Sequence, residues 1–512
     1  MRRHFWQRLH HWQSQYPSTS ALQDDVTNIT WQQLPEIITA MSEALYLPSK
    51  QPVGLILDNG CPWVITDLAL LFNGNATIPL PEFFSQQQIW HVIQDAGLQW
   101  FVIDRLPTWM KQEQILQQQP LPMGLSLVQL ATTAPSKLLP RGVAKITYTS
   151  GTTGTPKGVM LSATHQLRVA HALSERLAPL GLKRHGCSLP LAVLLENVAG
   201  VYCSLWQGAT VLLPSLANQG WQQSRLMDWP RYLQTWEQLQ PHSLIWLPEI
   251  LRQVIQQQTL APLRKKLAEQ VRFIAVGGGK VPISLLQQAQ QQGLPVYEGY
   301  GLSECASVVA VNTPFDNVAG SVGRILPHLQ AHCNKQGELE LRGNTFLGYL
   351  GQHAQPTRKV KTGDLAKLAS DGLLTISGRR KQVIINSYGR NINPEWIESE
   401  ASSFAALQQL VLLGDEQMVN TALVFSSASF NAIEQSLQQL NQSLPDYAQV
   451  QRWYQLNEPL SVINGMLTAN GRLRRQSIQN YFYPLLQAEP SNLHSVPFDT
   501  LLKKKEVQAV GQ

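Results

Sequence analysis

The sequence predicts an α/β fold with three parts: a large N-terminal domain of stacked, mostly parallel sheets covered by helices, a small β subdomain, and a smaller α+β C-terminal domain. Three observations support this prediction. Short apolar runs alternate with helical patterns through the first 300 residues, which is typical of parallel sheets. From residue 321 to residue 377 the elements shorten and glycine-rich turns separate them. A charged, glycine-led segment that begins at Gly378 then precedes a compact α+β region.

Apolar periodicity places the individual elements along the chain. Helices are predicted through Trp63–Phe72 and Gln87–Ala96, and a further helix opens at Pro394. The predicted buried strands are Val53–Leu57, Ala76–Leu80, Trp100–Ile103, Val143–Tyr148, Thr210–Leu213, Ser243–Trp246 and Arg272–Val276. Because 512 residues are too many for one core, we expect domains over residues 1–380 and 381–500, followed by a tail over residues 501–512.

Composition argues against several classes of protein. The hydrophobic fraction is 44%, which is ordinary for a folded protein, and the charged fraction is only 14%. A net charge of +6 is small for this length and forms no lysine or arginine stripe, so no nucleic-acid partner is expected. The five cysteines are scattered singly, which argues against a disulfide framework or a zinc site.

The basic N-terminal segment Met1–Trp12 has no apolar core of the kind that a secretory signal needs. The sequence also contains no run of 18 apolar residues that would suit a membrane-spanning helix. We therefore expect a cytoplasmic protein with at most peripheral membrane contact. The segment itself is interpreted as a capping first helix, with a helix on a membrane surface as the alternative.

The segment Tyr148–Gly158 places hydroxyl groups, glycines and one lysine close together. Glycines let backbone N–H groups face an anion, and Lys157 adds a compact positive charge suited to phosphate. The segment is not a Walker A loop, because Pro156 stands where that motif has glycine. A flexible linker is the alternative, but apolar, strand-like runs flank the segment on both sides. The candidate phosphate-binding residues are Thr149, Ser150, Gly151, Thr152, Thr153, Gly154, Thr155 and Lys157.

A second segment, Glu298–Glu304, supplies other groups suited to a nucleotide. The Tyr300 ring suits adenine and the Ser303 hydroxyl suits a phosphate. The Glu304 carboxylate suits Mg²⁺. Taken alone, the segment is equally well an ordinary strand-to-helix turn. The glycine-rich strand end that precedes it is not a dinucleotide fingerprint, because Pro282 replaces the third glycine. The candidate residues of both segments are Gly277, Gly278, Tyr300, Gly301, Ser303 and Glu304.

In their order along the chain, these motifs resemble those of the adenylate-forming superfamily, which includes acyl-CoA synthetases, the adenylation domains of peptide synthetases and beetle luciferases. The resemblance runs from about residue 20 to about residue 485 and is nearest to long- and medium-chain acyl-CoA synthetases. It implies that ATP and Mg²⁺ bind here, with Gly277 and Gly278 close to adenine. It also implies catalytic roles for Lys157 and for Glu304, the latter as the metal ligand.

Matches further along the chain extend the resemblance. The aspartate of Thr362–Asp364 matches the superfamily's ribose-binding position, and an ionised carboxylate suits the two ribose hydroxyls. Arg379 matches a nucleotide contact, and Lys381 matches the hinge about which a mobile C-terminal domain rotates. Gly389 matches a glycine of the tunnel for the acceptor thiol. The alternative for this region is a surface hairpin that leads into a helix.

By the same resemblance, three residues are candidates for the acyl pocket: Leu191, Val193 and Trp246, of which the last is equally a core residue. Peptide-synthetase domains usually carry an aspartate at the position of Leu191, where it binds the amine of an amino acid. An amine beside leucine would be poorly solvated. The sequence therefore favours a fatty or aryl acid as substrate.

Arg472 stands where the superfamily carries its catalytic lysine, and the chain has no lysine between Lys381 and Lys503. Arginine keeps the positive charge but is bulkier and planar. We expect an AMP-forming ligase that makes an acyl-adenylate and then a thioester, with CoA or a carrier-protein phosphopantetheine as acceptor. The alternatives are an acyl-AMP or acyl-carrier-protein ligase, and a non-catalytic relative that binds nucleotide or acyl-adenylate.

Overall fold

Helices and strands alternate along most of the chain in the computed structural model. The model describes residues 1–45, 47, 51–82, 84–132, 139–149, 156–222, 225–352, 359–382, 384–385, 391–414, 419–445, 448–468, 471–488 and 495–496. Within these residues the α-helices are α1 (Arg2–Gln15), α2 (Leu34–Ala44), α3 (Cys61–Asn73), α4 (Gln86–Ala96), α5 (Ala163–Leu177), α6 (Cys203–Gln207), α7 (Trp229–Leu239), α8 (Pro248–Gln256), α9 (Ala261–Gln270), α10 (Ile283–Gln291), α11 (Pro394–Ala401), α12 (Phe430–Gln442) and α13 (Arg475–Ala488). A π-helical segment, Glu196–Tyr202, precedes α6.

The strands fall into groups along the chain. The first are β1 (Ser20–Gln23), β2 (Asn28–Thr30), β3 (Val53–Ile56), β4 (Thr77–Pro79), β5 (Trp100–Ile103), β6 (Ile115–Pro120) and β7 (Ser126–Leu130). The next are β8 (Val143–Thr149), β9 (Lys157–Ser162), β10 (Arg184–Gly186), β11 (Thr210–Leu212), β12 (Trp221–Gln222), β13 (Arg225–Leu226), β14 (Ser243–Trp246), β15 (Phe273–Val276), β16 (Val296–Leu302) and β17 (Ser307–Val311). The last are β18 (Arg324–Ile325), β19 (Leu329–Cys333), β20 (Glu338–Gly343), β21 (Gly348–Tyr349), β22 (Lys359–Leu368), β23 (Leu374–Arg379), β24 (Ile384–Ile385), β25 (Asn391–Ile392), β26 (Gln409–Leu413), β27 (Thr421–Phe425), β28 (Arg452–Leu456) and β29 (Ser495–Val496).

Two large sheets form the N-terminal part of the described chain. The first has the strand order β18-β17-β16-β15-β14-β10-β11-β1-β2, and its strands from β1 to β16 in this order are parallel. The second has the order β21-β9-β8-β4-β3-β5-β7-β6, with parallel pairing confined to β8, β4, β3 and β5. The predicted α/β class is confirmed. Both sheets are mixed, because antiparallel strands flank each parallel centre.

Helix α3 explains how the two sheets share one hydrophobic cluster. It is apolar on nearly every side, and its buried side chains pack in a cluster that includes residues of both sheets. A helix without a polar face is stable only where neighbours cover it all round. Helix α1 caps the same cluster: Phe5 and Leu9 are buried, and the Arg8 Nε donates to the Trp206 carbonyl at 3.1 Å.

A smaller antiparallel sheet, β19-β20-β22-β23, follows the large sheets along the chain. The glycine-rich turns of the sequence predicted such a β subdomain. The C-terminal residues form a mixed four-stranded sheet, β26-β27-β28-β29, with α11 and α12 packed through a separate hydrophobic cluster. The division at Lys381 and the tail over 501–512 stay predictions, and the tail lies outside the described residues. In the described part of the chain, no helix has the length and apolar character needed to cross a membrane.

Candidate nucleotide and acyl site

The predicted phosphate-binding segment joins two neighbouring antiparallel strands. Thr149 at the end of β8 is the register partner of Lys157 at the start of β9, and apolar residues of both strands are buried. The model therefore gives the two ends of the segment. Six of the seven residues between them lie outside the described residues: Ser150, Gly151, Thr152, Thr153, Gly154 and Thr155. Gly389 also lies outside them, and the side chains of Thr149 and Lys381 are not described.

Lys157 and Glu304 meet around a tyrosine that the sequence analysis did not identify. The Lys157 Nζ lies 5.7 Å from the centroid of the Tyr349 ring, and the Tyr349 hydroxyl donates to the Glu304 Oε1 at 2.7 Å. Tyr349 reaches this position because β21 pairs with β9. The Phe346 N–H also donates to the Glu304 carbonyl at 2.7 Å, which fixes the backbone beside the carboxylate. Lys157, a predicted phosphate residue, and Glu304, the predicted metal ligand, therefore lie near the same tyrosine side chain.

Tyr300, Asp364 and Arg379 form a second contact set. The Tyr300 hydroxyl donates to the Asp364 carboxylate, and the Arg379 Nε lies 3.0 Å from the Asp364 Oδ1. Asp364 and Arg379 are register partners on β22 and β23, so the sheet itself brings them together. Asp364 is only 4% exposed, and burial raises the pKa of its carboxyl while Arg379 opposes that rise. The result is a buried acceptor that presents charge to a polar ligand.

Glycines keep the backbone close-packed beside this set. A Cβ at Gly301 would lie 2.1 Å from the Ser307 carbonyl oxygen, so no side chain fits there. Gly278 has a φ of +82°, a left-handed conformation that favours glycine. Ser303 begins a 3₁₀ turn and is half-buried. Gly277 follows β15 directly, and its N–H donates to the Trp246 carbonyl at 3.2 Å.

Arg472 reaches the same site from the C-terminal residues. Its Nη2 donates to the Gly278 carbonyl at 2.7 Å, and its backbone N–H donates to the Thr468 Oγ1 at 3.1 Å. Its charge is also near enough to Asp364 to act against the raised pKa of that carboxyl. The arginine at the predicted catalytic position is therefore beside the glycine-rich strand end and the predicted ribose-binding carboxylate.

The three candidates for the acyl pocket differ in burial. Leu191 and Trp246 are buried in the large hydrophobic cluster, whereas Val193 is half-buried. Asn59 fixes the backbone next to Leu191: its Nδ2 donates to the Leu189 carbonyl at 2.9 Å and its Oδ1 accepts from the Leu191 N–H at 2.8 Å. The segment is thus held in place by a side chain on the loop that leads into α3.

Glu298 is a further acidic group that sequence reasoning did not assign. Burial raises its pKa to about 7, with partial opposition from the Val281 N–H and the Lys280 charge. Burial likewise lowers the pKa of Lys280, against the charges of Glu298, Glu400 and Glu395. The position of Glu298 two residues before Tyr300 was the available signal, because a carboxylate inside an apolar strand is uncommon.

A buried carboxylate with tyrosine and arginine partners, near a glycine-rich end of a parallel strand, is the kind of site at which α/β enzymes bind nucleotides. The chain belongs to the family of AMP-binding enzymes, whose sequence profile matches residues 9–350. The resemblance to the adenylate-forming superfamily is thereby confirmed.

Two relatives of this chain are CoA ligases. The long-chain-fatty-acid–CoA ligase FadD15 of Mycobacterium tuberculosis is 28% identical over 71% of this chain and 70% of its own length. The 2-succinylbenzoate–CoA ligase of Bacillus mycoides is 25% identical over 82% of this chain and 88% of its own length.

Solved structures share the fold. The anthranilate CoA ligase AuaEII in complex with anthranoyl-AMP has a TM-score of 0.75 at 16% identity and covers 95% of this chain and 98% of its own. The O-succinylbenzoate CoA synthetase of Bacillus subtilis, in complex with ATP and a magnesium ion, has a TM-score of 0.71 at 21% identity, over 92% and 99% of the two chains.

Proposed function

We propose that this enzyme uses ATP to activate a fatty or aryl acid as an acyl-adenylate and then transfers the acyl group to the thiol of CoA. At the level of enzyme class, the prediction of an AMP-forming acid–thiol ligase agrees with the curated relatives, which are CoA ligases. The observation that carries the proposal is the contact set of Tyr300, Asp364 and Arg379, with Arg472 beside it.

In the first step ATP would bind with its ribose hydroxyls on Asp364 and its phosphates near Lys157. The buried carboxylate accepts hydrogen bonds only, which matches two hydroxyl donors. Glu304 would hold Mg²⁺, since carboxylate oxygens suit that ion and Tyr349 already orients one of them. When bound, Mg²⁺ supplies charge neutralisation on the phosphate oxygens. Lys157, whose Nζ lies 5.7 Å from the centroid of the Tyr349 ring, adds a second positive charge.

The substrate carboxylate then attacks the α-phosphorus, a new oxygen–phosphorus bond forms, and pyrophosphate leaves. No enzyme nucleophile takes part, because positioning and charge stabilisation carry such a reaction. Arg472 would stabilise the charge that builds on the α-phosphate. Its place beside Gly278 and Asp364 supports this role, since both neighbours belong to the proposed nucleotide site.

In the second step a thiol attacks the acyl carbon and AMP leaves. We propose that residues 381–500 turn about Lys381 for this step and bring Gly389 to the thiol tunnel. The apolar character of Leu191, Val193 and Trp246 supports an acid without an amino group. Because ATP and CoA are cytoplasmic metabolites, we place the enzyme in the cytoplasm, with peripheral membrane contact at most. A carrier-protein phosphopantetheine is the alternative acceptor.

One observation favours a second candidate, a relative that binds nucleotide or acyl-adenylate without turnover. Arginine replaces lysine at position 472, and its planar head is directed at a backbone carbonyl. If that contact persisted with ATP bound, the arginine would not reach the α-phosphate, and binding without chemistry would result.

The test is product analysis with ATP, Mg²⁺ and CoA over a panel of aliphatic acids of increasing length and aryl acids. We expect equal amounts of AMP and one acyl-CoA, detected by mass spectrometry. Formation of ADP, or AMP without thioester when CoA is present, would contradict the proposed reaction. Replacing CoA by a phosphopantetheine-loaded carrier protein separates the two acceptors.

A further inference from the structure

A buried network centred on Lys145 lies outside the site described so far. Lys145 is 1% exposed, and its Nζ lies 3.0 Å from both oxygens of the Asp67 carboxylate. The Nζ also donates to the Asn197 Oδ1. Asp67 accepts further hydrogen bonds from the Asn197 Nδ2 at 3.0 Å and the Tyr202 hydroxyl at 2.6 Å. The side chains of three separate elements thus converge on one buried ion pair.

The three elements that meet at this ion pair lie next to parts of the proposed active site. Lys145 lies on β8, five positions before Ser150 of the predicted phosphate-binding segment. Asp67 lies on α3, the helix buried against both large sheets. Asn197 and Tyr202 lie on the π-helical segment. The ion pair therefore connects the strand that ends at the phosphate segment with the π-helical segment.

The π-helical segment is connected in turn to the acyl-pocket candidates. Its first residue, Glu196, accepts from the Leu189 N–H at 2.9 Å and lies 2.9 Å from the His185 Nε2. Leu189 shares Asn59 with Leu191, as described above. Buried polar contacts, joined by the peptide bond between Glu196 and Asn197, thus lead from β8 to the backbone at Leu191.

Stability alone does not account for a charge pair in this position. Removing two charges from water costs free energy that their attraction often fails to recover, so a buried pair is weak evidence for stability. Burial lowers the pKa of Lys145 against the effect of Asp67, which shows the same cost. A π-helix is itself uncommon, and its backbone hydrogen bonds span five residues rather than the four of an α-helix. Relaxation to an α-helix would therefore rotate the following residues about the helix axis.

We propose that Lys145 is a positioning residue for the ligase reaction. It fixes the position of the π-helical segment Glu196–Tyr202, and through this segment the acyl pocket, relative to strand β8, which leads into the phosphate segment. This inference rests on the proposed function. Lys145 touches no substrate in this account. It acts through Asn197 and Tyr202, which are its direct contacts on the π-helical segment.

The experiment compares the wild type with two variants that leave the proposed site intact. Lys145→Met/Asp67→Asn removes both charges but keeps similar volumes and an acceptor for neighbouring donors. Asn197→Ala keeps the ion pair and the Tyr202 hydrogen bond to Asp67 but removes the Asn197 contacts with the ion pair, and it covers the case in which the double variant does not fold. We expect a melting temperature close to that of the wild type for the double variant and a lower one for Asn197→Ala, which leaves two buried charges with one partner fewer. In either folded variant we expect kcat/KM for the acid to be reduced by about tenfold or more.

The matched control is Lys266→Met/Glu237→Gln, which removes a lysine–carboxylate pair between α7 and α9 with an N–O distance of 2.7 Å. It should change neither property. Hydrogen exchange supplies a readout that needs no turnover: the proposal expects faster amide exchange over residues 143–149 and 196–202 in both test variants. Variants with wild-type kcat/KM, or with unchanged exchange in those two ranges, would overturn it. A wild type that makes no thioester would instead contradict the proposed function, while the exchange comparison still decides the coupling.

Discussion

Asp364→Asn is the sharpest single test of the nucleotide site. The Asp364 side chain is 6% exposed, accepts a hydrogen bond from the Tyr300 hydroxyl and lies 3.0 Å from the Arg379 Nε. Asparagine keeps the shape of the side chain but removes the charge that strengthens its hydrogen bonds to a bound ribose. A hydrogen bond to a charged group contributes about 1.5–3 kcal/mol. This range corresponds to a factor of about 10 to 150. We expect kcat/KM for ATP to fall by such a factor.

The assay is pyrophosphate release at varied ATP and saturating acid, with ATP affinity measured by titration calorimetry. The control is Asp371→Asn, a carboxylate that is 52% exposed beside Arg324 and lies after the same strand, β22. Exposed ion pairs contribute little, so the control should behave as the wild type. Asp364→Asn with kcat/KM for ATP within threefold of the wild type would refute the ribose assignment.

Three further predictions follow from single contacts. Burial raises the pKa of Glu298 to about 7, above the ordinary 4.5, so the stability that its protonated form contributes is complete below pH 4.5 and is lost as the pH rises through 7. Glu298→Gln should therefore raise the melting temperature more at pH 8 than at pH 5. An equal effect at both pH values would contradict this. Tyr349→Phe removes the hydroxyl that orients Glu304. The Mg²⁺ concentration for half-maximal pyrophosphate release should therefore rise by roughly threefold to tenfold. An unchanged Mg²⁺ dependence would exclude the orienting role. Gly301→Ala should lower the free energy of unfolding by about 1–3 kcal/mol, measured with denaturant, because its Cβ would overlap the Ser307 carbonyl oxygen. Gly279→Ala should not, because its Cβ would make only an ordinary 3.5 Å contact with Pro248. Equal denaturation midpoints for the two variants would show that the packing at position 301 is not tight.

Sequence reasoning located strands best where both faces of the strand are buried. Trp100–Ile103 and Ser243–Trp246 have the predicted bounds because every residue in them is buried, so an uninterrupted apolar run marks the element. The antiparallel flanks of the large sheets were not predicted. Pairing direction depends on where a chain returns, and a strand such as β7 carries no local mark of its partner β5.

The candidate site was predictable where a residue type implies its chemistry. Asp364 and Arg379 were identified separately, and the structure brings them into one ion pair. Tyr349 was missed because its role depends on the pairing of β21 with β9, which is a tertiary contact. Lys145 was interpreted only as part of a strand, because its partner Asp67 is 78 positions away and an apolar run gives no indication of which residue a buried lysine will pair with.

The π-helical segment also had no sequence signal. All seven residues of this segment are buried, so no apolar face marks its helical period, and tertiary contacts select the π-helix. Here the selecting contacts are the buried hydrogen bonds that Asn197 and Tyr202 donate to Asp67 on the distant helix α3, and the local one that Glu196 accepts from the Leu189 N–H.

The central claim is that an enzyme with arginine at position 472 carries out adenylation. Pyrophosphate release from ATP and Mg²⁺, measured over the acid panel for the wild type and for Arg472→Lys, tests it most directly. The account predicts release by the wild type with at least one fatty or aryl acid, since Arg472 lies beside Gly278 and near Asp364. Silence of the wild type together with release by Arg472→Lys would contradict it and would identify a protein that binds the nucleotide without turning it over.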